Sequence, residues 1–350
     1  MTKISIAMAT YNGARFIQKQ LDSFSQQTLP PSELIVCDDG STDSTISIIQ
    51  NFARSASIRV VLVTNPIRLG YTANFLQAAH MCTRDLIAFS DQDDEWLPEK
   101  LACIVEASEK SDALLLAHAA EWIDENSNSR GVVYPTHRRF RKHLRKYDFP
   151  GHAIVIKRSF LESFRRSLSV ENYKRVAGQL EFGHDVLLLE VASAMDRVLF
   201  IPQVLSRWRV YSETAHAWTN EFKPVPSASA SLTDRIYPPD LAQKYTVGEQ
   251  AYRSRAALLS CVLQDLADSK EGTTEPSRRL SASMNLMAKC ADVMDLRAKF
   301  YSARARRQRM RLMLQGFAIG QYRRADRGGV GMQNALRDLL AAVLLLPRHV

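Results

Sequence analysis

The sequence predicts an α/β protein: a Rossmann-like, mostly parallel sheet flanked by helices, with a helical, basic extension at its C-terminal end. Three observations predict it. Apolar runs of strand length alternate with amphipathic stretches through the first third of the chain. Each run exits into a polar, turn-forming cluster, and the positive charge gathers in a tail of helical period.

Taken in order, ISIAMAT (4–10) is the first strand, and ARFIQKQLDSFSQQ (14–27) sets Phe16, Ile17, Leu21 and Phe24 on one helical face. ELIVCD (33–38) is the second strand, after which Ser41, Thr42 and Asp43 are candidate helix N-caps. IRVVLVT (58–64), TANFLQAAHMC (72–82), LIAFSD (86–91) and PEKLACIVEASEK (98–110) follow as strand, helix, strand, helix, the last opening at Pro98. Such alternation implies a parallel sheet covered on both faces. Ligands then bind at the carboxyl ends of the strands.

From 112 to 217, DALLLAHAAEWID reads as a strand, GHAIVIKRSFLESF as a strand leading into a helix, HDVLLLEVASAM as a helix, and RVLFIPQVLSRWRVY as one or two strands. THRRFRKHLRKYDF (136–149) is a solvated basic loop or an arm for an anionic group. KPVPSASASLTDRIYPP has linker composition. The expected organisation is a domain over 1–222, a linker over 223–240 and a helical region over 241–350.

Composition narrows the classes. With 46% hydrophobic and 24% charged residues the chain is not expected to be disordered. Cys37, Cys82, Cys103, Cys261 and Cys290 form no framework, which fits a reducing, cytoplasmic compartment. The first apolar stretch is too short for a secretory signal, and no run approaches the roughly 18 to 20 residues needed to span a bilayer. From Arg297 onward twelve Lys and Arg face two acids, a net of +10, so the body is nearly neutral. A general polyanion or nucleic-acid binder is not expected.

The densest chemistry is FSDQDDEWLP (89–98). Asp91, Asp93, Asp94 and Glu95 crowd a strand exit with no basic residue before Lys100. Carboxylates so placed suit a hard cation, Mg²⁺ or Mn²⁺, whose remaining ligands come from a diphosphate. An EF-hand fails for want of its glycine and distal glutamate. An aspartyl-phosphate phosphohydrolase with Asp91 as nucleophile, and a solvated turn, stay open. CDDGSTDST (37–45) is a second acid site: a carboxylate for the imide N–H of a pyrimidine, or a turn with a helix cap. Neither a dinucleotide fingerprint nor a P-loop occurs.

ISIAMATYNGARFIQKQLDSF, ELIVCDDGSTDST, NPIRLGYTANF and FSDQDDEWLPEKL, in this order, resemble the inverting family 2 glycosyltransferases of GT-A fold over roughly residues 3–215. The resemblance implies a nucleotide-diphospho-sugar donor and a saccharide or lipid-linked acceptor, in cell-surface polysaccharide or glycolipid synthesis. It implies that Thr10, Tyr11, Asn12, Asp39 and Arg68 hold the nucleoside, that Asp91 serves the ribose and that Asp93 binds the metal. It further implies that Asp185 of GHDVLLLE is the general base, with His184 as its rival, and that Arg209 meets the diphosphate. Tyr211 stands where many members carry a histidine, with His216 further on. The SDQDDEW form, together with GH at 151–152 and HD at 184–185, is most similar to the rhamnosyltransferase-like branch, whose donor would be a dTDP-sugar; a UDP-sugar is the other donor expected. A non-catalytic nucleotide or membrane adaptor is the alternative outside enzymes.

In the tail, RAKFYSARARRQRMRLMLQGF interleaves arginines with Phe300, Tyr301, Met310, Leu312, Met313, Leu314 and Phe317. Together with LRDLLAAVLLLPR it reads as a basic amphipathic helical surface for the cytoplasmic face of the inner membrane, or as a packing or dimerising domain.

Overall fold

The computed structural model describes residues 2–134, 149–178, 183–211, 241–268, 274–303, 306–319 and 321. Nearly all of the basic arm at 136–149, the linker at 223–240, His216 and the apolar run at 339–347 lie outside the described residues. Two compact units partition the chain, one of Met1–Thr219 with Gln264–Ser277, the other of Asn220–Leu263 with Arg278–Val350.

In the first unit β1 (Ile4–Thr10), β2 (Glu33–Asp38), β3 (Arg59–Thr64) and β4 (Leu86–Ser90) run parallel in the order β3-β2-β1-β4. β1, β2 and β4 are buried along their whole length, as continuous apolar runs dictate for strands covered on both faces. The intervening helices are α1 (Ile17–Ser25), α2 (Thr45–Ser55) and α3 (Tyr71–Met81). α1 turns Ile17, Leu21 and Phe24 into the core with Phe16 just ahead of it, the face read from the sequence.

α2 opens at Thr45 with Ser44 at the N-cap position, whose side chain makes no capping bond. Asp43, among the residues expected to cap, accepts the Thr45 N–H at 3.0 Å on Oδ1 and the Ala14 N–H on Oδ2, while Ser41 and Thr42 bond to Asn12 just past β1.

Beyond β4 the sheet becomes mixed. β5 (Glu95–Trp96) precedes α4 (Lys100–Glu109), and β6 (Leu115–Ile123) and β7 (Ser129–Tyr134) follow. A 3₁₀ turn at Gly151–Ala153 leads to β8 (Ile154–Lys157), α5 (Arg158–Ser163), α6 (Val170–Ala177), α7 (His184–Ala194) and β9 (Val198–Arg209). The described sheet has nine strands in the path β3-β2-β1-β4-β8-β6-β9-β5, with β7 on β6. β8 pairs antiparallel to β4, while β9 runs parallel to β6 through two register shifts and ends beside the acid loop. Since the chain lays β2 and β3 on one side of β1 and β4 on the other, the strand order reverses at the carboxyl ends of β1 and β4. That reversal makes the crevice in which open α/β sheets bind ligands.

The second unit is helical: most of α8 (Leu241–Asp268) and α9 (Thr274–Ser302), with α10 (Arg306–Ala318). The basic run does not lie on one outward face as its spacing suggested. Arg297 is fully buried, its guanidinium 4.7 Å from the Tyr245 ring and donating to the Tyr301 hydroxyl at 3.2 Å, and Phe300 and Met313 are also buried. Among the described residues no helix is long and apolar enough to cross a membrane.

Candidate active site

The exits of β1 and β2 are locked together before any ligand is considered. Asp38, fully buried, accepts from the N–H groups of Gly40 and Ser41 and from the hydroxyls of Ser41 and Thr10. Asn12, at φ 47°, donates its N–H to Ser41 Oγ, and its Oδ1 accepts from the Thr42 N–H. Thr10 and Asn12, both expected to touch a nucleoside, thus have polar groups engaged in holding the loops.

Tyr11, Arg68 and Asp39 do come together. The Arg68 guanidinium lies 3.9 Å over the Tyr11 ring, and its Nε is 3.9 Å from Asp39 Oδ2. Buried Asp39 also accepts from Asn65 Nδ2 and from the N–H groups of Leu69 and Gly70, so it shapes the β3–α3 loop that presents Arg68. Gly70 takes φ 86°, a left-handed value that suits only glycine.

In the acid loop each residue has a different neighbour. Gln92 is reciprocally paired with the Tyr11 backbone, accepting at 2.9 Å and donating at 3.0 Å, which ties the β4 exit to the β1 exit. Asp93 Oδ2 accepts from the Tyr211 hydroxyl at 2.9 Å. Buried Asp94 accepts the Arg209 N–H on Oδ1 and places Oδ2 at 2.6 Å from His152 Nδ1, which is also 3.6 Å from Asp91 Oδ2.

Among the described residues, the ligand atoms that converge within 4.8 Å, close enough to hold a metal ion, are those of Asp91, Asp94 and His152. The sequence reading put the metal on Asp93. The structure turns that carboxylate toward Tyr211 and supplies an unforeseen histidine from the 3₁₀ turn ahead of β8.

The electrostatics follow from this crowding. Part of the Asp93 surface remains open, yet burial, then Asp94 and Asp91, push its carboxyl up to about 8. Burial works to lower His152, but Asp94 and Asp91 outweigh it and raise the imidazole to about 9. Beneath them buried Lys100 donates to the His152 carbonyl at 2.6 Å and rests 3.6 Å over the Trp96 ring. Its burial pulls the ammonium well below the ordinary lysine range, against the pull of Asp94 and Asp91. Protonated His152 is therefore the counter-charge that Asp91 and Asp94 already have. A divalent cation on Asp91, Asp94 and His152 has to displace the imidazole proton.

Arg209 is where expectation and structure differ most. Its side chain is fully buried, and all five donor N–H groups are engaged: Nε with the Asp93 carbonyl, Nη1 with the carbonyls of Asp124 and Glu125, Nη2 with Glu95 and Ser127. No N–H remains for a phosphate. The guanidinium braces the acid loop from behind, stacked 4.7 Å from Phe16.

The start of α7 completes the site. His184 is wedged between Phe75 and Phe89, ring centroids at 4.1 and 4.8 Å. It lies hard against Gly151, where an added Cβ would stand 2.8 Å from the His184 ring and 4.0 Å from Asp91 Oδ2. Ring and carboxylate thus flank one point that only glycine leaves open. Asp185, buried in the first turn, accepts from the Val186 N–H and folds over Gly183, where a Cβ would meet Oδ1 at 1.9 Å. The resemblance marked the Gly-His pair at 151–152 as an acceptor-side segment but gave His152 no part in a metal site, and sequence reasoning missed Gln92 and Asn65.

The fold is of GT-A type. Residues 5–168, a little under half of the chain, match the model of glycosyl transferase family 2. It is 30% identical over 161 residues to the UDP-Glc:alpha-D-GlcNAc-diphosphoundecaprenol beta-1,3-glucosyltransferase WfgD of Escherichia coli, covering 46% of this chain and 62% of that protein. With the dTDP-rhamnosyl transferase RfbG of Shigella flexneri the figures are 29% over 175 residues, covering 45% and 56%. The chain spans between 36% and 62% of the length of the first relatives it matches.

Among solved structures, Staphylococcus aureus TarS 1–349 in complex with UDP-GlcNAc superposes with a TM-score of 0.52 at 15% identity, covering 92% of this chain and 93% of that one. The mannosyltransferase PcManGT of Pyrobaculum calidifontis, in complex with GDP-Man and Mn²⁺, gives 0.50 at 18%, covering 98% and 87%. These two share the fold.

Proposed function

We propose that the chain transfers a sugar, with inversion, from a nucleotide-diphospho-sugar to a hydroxyl of a saccharide or lipid-linked acceptor, in cell-surface polysaccharide or glycolipid synthesis. The observation that carries this reading is the convergence of Asp91, Asp94 and His152 beside the Tyr11–Arg68 pair, at the reversal point of a sheet that matches family 2. The donor is a dTDP- or UDP-sugar, a reading supported by the activities named for RfbG and WfgD. WfgD also supports a lipid-linked acceptor.

Tyr11 and Arg68 offer the base a stacking face and a cation, with Asp39 behind them as an acceptor for an imide N–H. Asp91, at the mouth of the cluster, faces the ribose. Asp91, Asp94 and His152 would hold Mg²⁺ or Mn²⁺, oxygen and imidazole donors that suit either ion, with Mn²⁺ the better match to the nitrogen. Such an ion, when bound, offsets charge developing on the departing diphosphate. Asp185 takes the acceptor proton; the α7 N-terminus favours its ionised form.

The test is Asp185→Asn in a transfer assay with donor and a lipid-linked acceptor. Turnover should fall by about 10²- to 10⁴-fold with donor KM unchanged. Undiminished turnover would pass the base to His184, and donor consumption without any acceptor product would refute transfer.

A further inference from the structure

We infer that α10 docks the chain onto an anionic phospholipid surface, with Met310 and Leu314 entering the acyl boundary and Arg307 and Arg311 meeting headgroup phosphates. The inference goes beyond glycosyl transfer and stands on residues outside the active site. It also replaces the broad basic surface expected from the sequence with one helical face, because Arg297, Phe300 and Met313 are turned inward.

α10 has two unlike sides. Toward its own unit it buries Met313 and Gly316, donates Arg309 Nε to the Ala303 carbonyl at 2.8 Å, and is closed by the Gln321 N–H on the Gly316 carbonyl at 2.7 Å. Away from it, Arg307, Met310, Arg311, Leu314 and Ala318 line one open, mostly apolar face at the three- and four-residue spacing of a helix. Leu314, in the middle of this face, is 62% exposed. An apolar strip left open between two arginines marks an interaction surface.

Charge selects the partner. Between Asp295 and Asp326 the sequence has nine Lys and Arg and no acid. A second copy meeting the same face across a two-fold axis would set arginine rows against each other. A nucleic acid would satisfy the arginines but leave Met310 and Leu314 against phosphates. An anionic bilayer satisfies both sets at once: apolar side chains a few ångströms below the headgroups, guanidinium groups level with them.

The test uses the full chain in sucrose flotation with phosphatidylcholine vesicles, with and without phosphatidylglycerol. The wild type should float only with the anionic lipid. Replacing Arg307→Gln and Arg311→Gln together should weaken partitioning about thirtyfold, and Leu314→Asp should abolish it. All three side chains are exposed, so both variants should keep the wild-type melting temperature. On the unmodified protein, hydrogen exchange over 306–319 should slow when anionic vesicles are added.

Failure of the wild type to float, variants that float equally well, or unchanged exchange in α10 would each overturn the assignment. So would an apolar variant that still floats but loses mass in sedimentation velocity, which would make the face a self-association surface. None of these readouts involves donor or acceptor, so docking and transfer fail separately.

Discussion

Tyr211 holds Asp93: its hydroxyl donates to Oδ2 at 2.9 Å while its ring packs on Phe16 with centroids 5.1 Å apart. The tyrosine that stands where the resemblance implies a histidine therefore orients an acid. Tyr211→Phe removes one hydrogen bond to a carboxyl that is largely protonated at neutral pH, worth about 0.5–1.5 kcal/mol. Donor turnover should fall by up to about tenfold with little change in melting temperature. Unchanged turnover would show that Asp93 needs no such orientation.

Divalent metal should register on His152. In thermal-shift titration, Mn²⁺ should raise the melting temperature of the wild type, and this increment should vanish in Asp91→Asn and shrink in His152→Ala. Chelation should stop transfer and Mn²⁺ restore it. A wild-type increment retained in full by both variants would move the ion elsewhere, with Asp93 as the next ligand to test.

Arg209 should behave as a structural residue. Removing it leaves the carbonyls of Asp93, Asp124 and Glu125 and the carboxylate of Glu95 without their donor. Arg209→Met should cost about 3–5 kcal/mol in urea denaturation. Arg209→Lys should recover little of it, since an ammonium cannot replace a five-donor fork. A phosphate contact would give the opposite result, a raised donor KM at unchanged stability.

Glu33 predicts a pH dependence. It is buried at the start of β2, and against the upward pull of burial the Thr83 N–H, the Ser5 and Thr83 hydroxyls and Arg59 hold its carboxyl below the ordinary range. A lowered native value stabilises the fold above the unfolded carboxyl's pKa and loses that contribution as pH falls through the native one. The stability gap between wild type and Glu33→Gln, roughly 2 kcal/mol at neutral pH, should stay flat above pH ~5 and close on acidification. A gap that widened in acid would contradict this.

How much could be read from the residues varied with the kind of constraint. β1, β2 and β4 were legible because a strand covered on both faces must be apolar throughout, and ISIAMAT, ELIVCD and LIAFS are. The position of the site was legible because acid clusters lie at strand exits. Which acid faces which partner was not: Asp91, Asp93 and Asp94 are equivalent as letters and are told apart only by His152, Tyr211 and Arg209, brought back from far along the chain. Burial inverted the reading of Arg209, since guanidinium chemistry suits a phosphate and a ring of carbonyls equally well. β5 and β7 were missed because short or exposed strands carry no apolar period.

The N–H of Arg209 meets Asp94 across 115 positions of sequence. During synthesis the parallel half of the sheet can condense as soon as β4 has emerged, but the acid loop must wait for β9. A nascent chain halted before Val198 would hold a formed scaffold with unbuttressed carboxylates at its rim. The last strand to arrive is thus the step at which a folded polypeptide becomes a competent one.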